Sequence, residues 1–380
     1  MDNRVVTGLI IIAAIAITVL FFADSEGITA KITSENTVKI GGVLPLTGVS
    51  NSYGQFNREG IDLALEQVNS AGGINGKPLE VIYEDSQSRQ NTAVTALQKI
   101  IEMNNVPMVL VGASSPETLA QAPIAEEKQT VLLALGSAAE KIRYSGDYIF
   151  RLKVSVDEEI RTLMQFVREN LKAQSIYILY VENDYGESVR EFSEKNFIEM
   201  NGTIKGQEGF IIDELDYRTY LIKLKNANPD VIVLAGWPRN LGQIMKQAKE
   251  LGINANFVAP GGAISPEIIE IAKNSSNGLI YTTEFDLDSK RITVQDFRMK
   301  YKIKYNKEPE LFSAMGYDAI YILADILKIC KDSDCIKKKL YQVSEFEGVS
   351  GIITFDKYGD VSKPLIFMEI RNETFIKYKG

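Results

Sequence analysis

From Thr37 onward the chain alternates short apolar runs with amphipathic helical stretches, and only brief breaks separate them. That alternation constrains the fold more than any other feature, because parallel strands need crossover helices, and the two together cover a sheet on both faces. Ile61, Ala64, Leu65 and Val68 stripe one helix and Val94, Leu97 and Ile101 the next, with a strand through Leu79, Val81 and Tyr83 between them. Strands at Met108–Val111, Val131–Leu135 and Tyr148–Leu152 complete one doubly wound lobe. The pattern restarts around Lys153–Val156. A helix striped by Ile160, Leu163, Met164, Val167 and Leu171 leads to the strand Ile176–Tyr180, then to a helix opening at Tyr185. Val231–Ala235, a helix carrying Leu241, Ile244, Met245 and Ala248, and strands at Phe257–Ala259 and Leu279–Thr283 follow. The architecture is duplicated without sequence identity, so the fold class is α/β with two parallel-sheet lobes. The helices at Ile292–Tyr305 and Leu311–Cys330 have no strand between them, which implies that the chain returns to cover the first lobe.

Within the first lobe, VPMVLVGASSPET at Val106–Thr118 passes from buried strand to helix through small and capping residues only. Gly112 and Ala113 permit close approach. Ser115 reads as the N-cap, Pro116 as the first helical residue and Glu117 as an anion matched to the helix dipole. Hydroxyls and free amides at the carboxyl end of a parallel strand face the crevice where open α/β sheets bind ligands, and a carboxylate is what they would hold.

Composition excludes several functions. The 380 residues carry 42 Lys+Arg against 50 Asp+Glu, a formal charge of −8, with no basic block interleaved with aromatics, which argues against nucleic acid as a partner. The absence of histidine removes the commonest general base and imidazole metal ligands. No Walker loop or nucleophile elbow occurs, so no enzyme is expected. Val5–Ala23 is uncharged and, as a helix, about 28 Å long, enough to cross a membrane. Arg4 before it and Asp24 and Glu26 after it place the rest of the chain outside the cytoplasm, the segment being a membrane anchor or a cleaved signal. Asp24–Asn36 reads as a linker.

VKIGGVLPLTG, NSAGGINGKPLEVIYED, GASSPETLAQAPIAEE, ENDYGESV, MGYDAIYILADIL and GVSGIITFDKYGD, in this order and spacing, resemble the extracytoplasmic substrate-binding proteins of branched-chain amino acid transporters. The resemblance covers nearly everything after Thr37. It implies a type I periplasmic-binding-protein fold, two lobes joined by three crossings near Lys153, Phe285 and Gly348 that close on a small ligand. The lobes would comprise 37–154 with 286–348, and 155–285 with 349–380, after an anchor and linker at 1–36. The implied partners are a small amino acid or other carboxylate or amide, an ABC permease, and the membrane through the N-terminal segment; no cofactor is implied. The alternative is a ligand-sensing ectodomain acting through a partner membrane receptor.

By the same resemblance the first lobe would hold the ligand carboxylate through Ser115 and through Leu135 and Ser137 in LALGSAAE. Tyr53, with Tyr185 and Trp237 of the second lobe, would form an aromatic wall. Relatives carry an acidic residue for the ligand ammonium where this chain has Gly261. Either the ligand lacks that amine or another carboxylate serves it, with Glu284 the first candidate in sequence and Asp184 the next.

Cys330 and Cys335 are the only cysteines. Outside the cytoplasm a pair so spaced at a helix end can close a small loop as a disulfide, and two thiols without histidine make a poor zinc site. Asn201, Asn274 and Asn372 stand in N-x-S/T sequons, leaving glycosylation open.

Overall fold

The computed structural model describes residues 37–112 and 114–379. The expected membrane segment and linker lie outside the described residues; among those described, no helix is long and apolar enough to cross a membrane.

The first sheet consists of β1 (Val38–Leu44), β2 (Leu79–Asp85), β3 (Met108–Val111), β4 (Val131–Ala134) and β5 (Ile149–Arg151), in the order β2-β1-β3-β4-β5. All neighbours are parallel, with Ile40 opposite Val81 and Gly41 opposite Val109. The continuous apolar runs at β3 and β4 are buried throughout, as a sheet covered on both faces requires. Its crossovers include α1 (Asn51–Ser70), α2 (Gln90–Asn104) and α3 (Ser115–Glu127). Strand order reverses between β1 and β3, so the loops after these two strands open a crevice at their carboxyl ends.

The second lobe repeats this plan. After α4 (Val156–Glu169) come β6 (Ser175–Val181), α5 (Asp184–Glu199), β7 (Thr203–Phe210), α6 (Arg218–Ala227), β8 (Val231–Ala235), α7 (Pro238–Glu250), β9 (Asn256–Ala259), α8 (Pro266–Ala272) and β10 (Ile280–Thr283). Helices α9 (Ile292–Tyr305), α10 (Leu311–Leu327) and α11 (Ser333–Leu340) then precede the hairpin of β11 (Phe346–Gly348) and β12 (Gly351–Ile353). Last come β13 (Ile366–Arg371) and β14 (Thr374–Lys377), which join the second sheet antiparallel, giving β14-β13-β10-β9-β8-β6-β7. The reversal of order lies between β6 and β8.

The return of α9–α11 to the first lobe follows from apolar content. Val294, Phe297, Met315, Ile320 and Leu323 share one core with Ile40, Leu110 and Leu133 of the first sheet. Each fully buried aliphatic chain there stabilises by about 1.5–3 kcal/mol relative to exposure. Cys330 and Cys335 form a disulfide across the turn between α10 and α11, with Cα atoms 5.3 Å apart. Val349, Ile353, Phe355 and Val361 also belong to this core. The third passage between lobes therefore falls near Lys363 and not near Gly348, because the hairpin and the turn after it bury their apolar residues against the first lobe.

At the passages the chain buries ions. Lys153 Nζ lies 2.8 Å from Glu159 Oε2 and 2.8 Å from Glu284 Oε1, with all three side chains fully buried. Val154 donates its amide to Glu284 Oε1 at 3.0 Å, and Lys363 Nζ stands 3.4 Å from Glu284 Oε2 while donating to the Leu152 carbonyl at 2.8 Å. Burial alone would lower the Lys153 ammonium and raise the Glu284 carboxyl; the opposite charges outweigh it, holding Lys153 above and Glu284 below their ordinary ranges. Glu284 thus joins the three passages to one another. Its Oε1 is taken by Lys153 and the Val154 amide, while Oε2 has Lys363 at 3.4 Å and no hydrogen bond among the described residues.

Candidate functional site

The two reversals of strand order face each other across the space between the lobes. On the first-lobe side, Gly112 lets the β3 loop lie against the β1 loop, since a Cβ there would stand 2.3 Å from Pro45 Cδ. Two residues later the helix begins one position earlier than the capping pattern suggests: Ser114 is the N-cap residue and Ser115 is already helical. Ser115 Oγ does not cap its own helix. It accepts from the amides of Ala138 and Ala139, at 3.0 and 3.1 Å.

Those amides are held from behind. Arg151, fully buried, donates to the carbonyls of Ala138 and Ala139 at 3.0 and 2.9 Å and forms a two-pronged ion pair with Asp360, at 2.6 and 2.7 Å. Both acceptor positions of the Ser115 oxygen are thereby filled, and its proton has no acceptor among the described residues. A hydroxyl so fixed is a donor aimed into the cleft, suited to a carboxylate oxygen.

Ser137 is different. Its hydroxyl donates to the Gly112 carbonyl at 3.2 Å and shares a 2.8 Å bond with Thr118, fully buried inside the lobe. It braces the β3 loop, and its side chain does not line the cleft. Leu135 is likewise fully buried in the first-lobe core, its amide engaged by the Val111 carbonyl. The residues of this segment that reach the cleft are Gly136 and Ala138.

On the second-lobe side, Asn183 caps α5 by accepting from the amides of Tyr185 and Gly186, which fixes Tyr185 in the first turn after β6. Trp237 stands directly before Pro238 at the start of α7, after β8. The rings of Tyr185 and Trp237 meet edge to face, with centroids 6.1 Å apart. Tyr53, in the first turn of α1, packs on Phe312 at 4.4 Å. Tyr53, Ser115, Ala138, Tyr185, Trp237 and Gly262 surround a space of about 20 Å³. That is room for about one water molecule, so the lobes are closed and must part to admit an amino acid. The Tyr53 and Tyr185 hydroxyls and the Trp237 indole nitrogen are buried with no hydrogen-bond partner among the described residues. Three such groups converging on one space are donors presented to a ligand, because a buried polar group without a partner costs about 1–3 kcal/mol.

The loop expected to carry an acidic residue has a one-residue correction. A Cβ on Gly261 would stand 1.8 Å from the Thr282 carbonyl oxygen, so that position admits only glycine in this fold. Gly262 is the position open to the cleft, where a Cβ would meet the Tyr185 hydroxyl at 3.7 Å and Lys153 Cε at 3.8 Å. Neither supplies a carboxylate. Glu159 is close by but committed: Oε1 accepts from the Gly261 amide and the Thr282 hydroxyl, at 2.8 and 2.6 Å, and Oε2 from Lys153 at 2.8 Å. Asp184 pairs with Lys141 of the first lobe at 2.7 Å, a link between the lobes at the rim. Neither Lys153 and Glu159 nor Arg151 was singled out for the site by sequence reasoning. The signal was present in IFRLKVS, where two bases interrupt an otherwise apolar run.

A periplasmic binding protein family model matches residues 37–374. The chain is 26% identical to the leucine-, isoleucine-, valine-, threonine- and alanine-binding protein of Pseudomonas aeruginosa, over 88% of this chain and 90% of that one. Among solved structures it resembles the leucine-binding protein LivK of Thermotoga maritima, with TM-score 0.86 and 28% identity, covering 90% of this chain and 98% of that one. It also resembles the isoleucine-bound LivJ of Streptococcus pneumoniae, with TM-score 0.84 and 27% identity, covering 89% and 97%. The chain belongs to the periplasmic binding protein family, as a type I member of the branched-chain amino acid transporter kind.

Proposed function

We propose that this solute-binding protein captures a small carboxylate-bearing ligand between its lobes, outside the cytoplasm, and delivers it to an ABC permease. The observation that carries this reading is the convergence of Ser115, Tyr53, Tyr185 and Trp237 on one closed space, with the three aromatic polar atoms lacking partners. The ligand's carboxylate is read as accepting from Ser115 and its side chain as lying against the aromatic rings. The relatives named above take leucine, isoleucine, valine, threonine and alanine, which supports a ligand of that size.

The same cleft lacks an unpaired carboxylate at Gly262, and Glu159, Glu284 and Asp184 all have partners. An α-amino group is accordingly not what the site selects. Mass spectrometry of the ligand retained through native purification identifies the solute, and uptake of that compound by cells lacking the protein tests delivery. Loss of uptake is expected; unchanged uptake, with the compound bound, refutes the permease role.

A further inference from the structure

Trp237 also lines a second compartment of about 310 Å³, which Ser114, Pro116 and Glu117 border on the first-lobe side. We infer that this front compartment takes a cationic group of the ligand against Glu117, so that the solute class is a small acid carrying its ammonium at the far end from the carboxylate. The inference rests on the solute-binding reading above. Glu117 lines the compartment, is only 6% exposed, and has one carboxylate oxygen, enclosed behind the compartment wall, with no hydrogen-bond partner among the described residues. The hydroxyls of Ser86 and Ser114 face its carboxyl group, and burial pushes that carboxyl above its ordinary range.

No lysine or arginine lines the compartment among the described residues; its other carboxylate is Glu182 of the second lobe. The contrast with the hinge is informative, since Glu159 and Glu284 are buried beside Lys153 and Glu117 is buried beside no base. A buried carboxylate is normally paired or neutral, and an ammonium entering here would pair it. Val49, Ile211 and Ile212 supply apolar wall for a methylene chain between the two polar ends. Ser115 and Glu117 sit in the first turn of α3, one before and one after Pro116 in the chain.

The test is calorimetric titration of the purified full chain with 5-aminovalerate and with valerate. The wild-type protein should bind 5-aminovalerate roughly tenfold or more tightly than valerate, the scale of one charge-assisted bond. Glu117→Gln should abolish that preference. Gln90→Lys, an exposed position on the compartment wall, should abolish it by repulsion without touching the buried carboxyl. A preference that survives both substitutions, or equal wild-type affinity for the two probes, overturns the inference and leaves the solute-binding reading intact. Failure of the wild-type protein to bind these probes or any branched-chain acid overturns both.

Discussion

At the reversal of strand order in the first lobe the loops present a serine hydroxyl braced by two backbone amides, whereas the corresponding loops of the second lobe present Tyr185 and Trp237. The same topological position has been given opposite chemistry. The first-lobe face is rigid by construction: Ser115 is fixed by Ala138 and Ala139, which are fixed by Arg151, which is fixed by Asp360. The second-lobe face is a pair of rings meeting edge to face, placed by the starts of their helices and packed on the second-lobe core, with no hydrogen bond from their polar atoms among the described residues. A ligand docking first on the polar face would be oriented there, and closure would then bury its apolar part under the rings. On the proposed reading, orientation and retention would be separable functions, one for each lobe.

The largest expected effect comes from breaking what keeps the two faces in register. Lys153→Met would leave Glu159 and Glu284 buried with one cation fewer, and removing one partner of a buried ion pair costs about 3–5 kcal/mol. Urea unfolding monitored by tryptophan fluorescence should show that loss as a lowered midpoint at unchanged slope. A change below about 1 kcal/mol would mean that water enters the passages and that packing alone joins the lobes.

Next in size is the division between the faces themselves. Trp237→Ala should weaken binding of the natively retained ligand by about 2 kcal/mol or more, as for a buried aromatic anchor, through faster dissociation. Ser115→Ala should cost about 1.5 kcal/mol of binding, one charge-assisted bond, and should lower stability as well because the Ala138 and Ala139 amides lose their acceptor. Stopped-flow dissociation rates and calorimetry together separate the two. Equal effects on dissociation would dissolve the distinction between orienting and retaining faces.

A smaller, pH-dependent effect should arise behind Tyr53, where both lobes bring carboxyls without partners. Glu310 of the first lobe and Glu267 of the second each have one buried oxygen that is not hydrogen-bonded, and both stand close enough to raise the Tyr53 hydroxyl. Burial pushes Glu310 up to about 8, against the pull of the Phe312 amide and Lys307. Between its ordinary value and about 8 the folded chain keeps a proton that the unfolded chain has released. Stability therefore falls as pH rises through that window and levels off above it. Glu310→Gln should flatten this slope, gaining about 1 kcal/mol or more at pH 8 relative to pH 5. A slope that is the same in the variant would assign it to another group.

Much of this comparison could be read from residue order. Apolar runs bounded by small residues marked β3, β6 and β8, and the residues just after them, Ser115, Tyr185 and Trp237, come together in the cleft with Tyr53. What escaped the sequence had no local signature. β7 is an edge strand whose TIKGQEGF has no apolar run, since its outer side faces solvent. Ser137 braces the β3 loop while its neighbours Gly136 and Ala138 line the cleft, and that one-residue difference in phase is set by tertiary contacts. The Gly261–Gly262 pair shows this most plainly. Only the proximity of the Thr282 carbonyl decides which of the two glycines faces the ligand.

The smallest expected difference is the one between an amino acid and its des-amino analogue. With glycine at position 262, and Glu159, Glu284 and Asp184 held by Lys153, Lys363 and Lys141, an α-ammonium beside Gly262 would meet no carboxylate free of a lysine. Its desolvation would offset the attraction it gains elsewhere. 4-Methylpentanoate should therefore stabilise the protein at least as well as leucine in a thermal shift series, where ligand at about a hundred times its Kd adds roughly 2.7 kcal/mol. Leucine stabilising far more than its analogue would show that a carboxylate leaves its present partner on ligand entry. Glu284→Gln then identifies which: if Glu284 turns to the ligand, the variant loses the preference for leucine. If it stays with Lys153, the variant is destabilised in the absence of ligand and the preference remains.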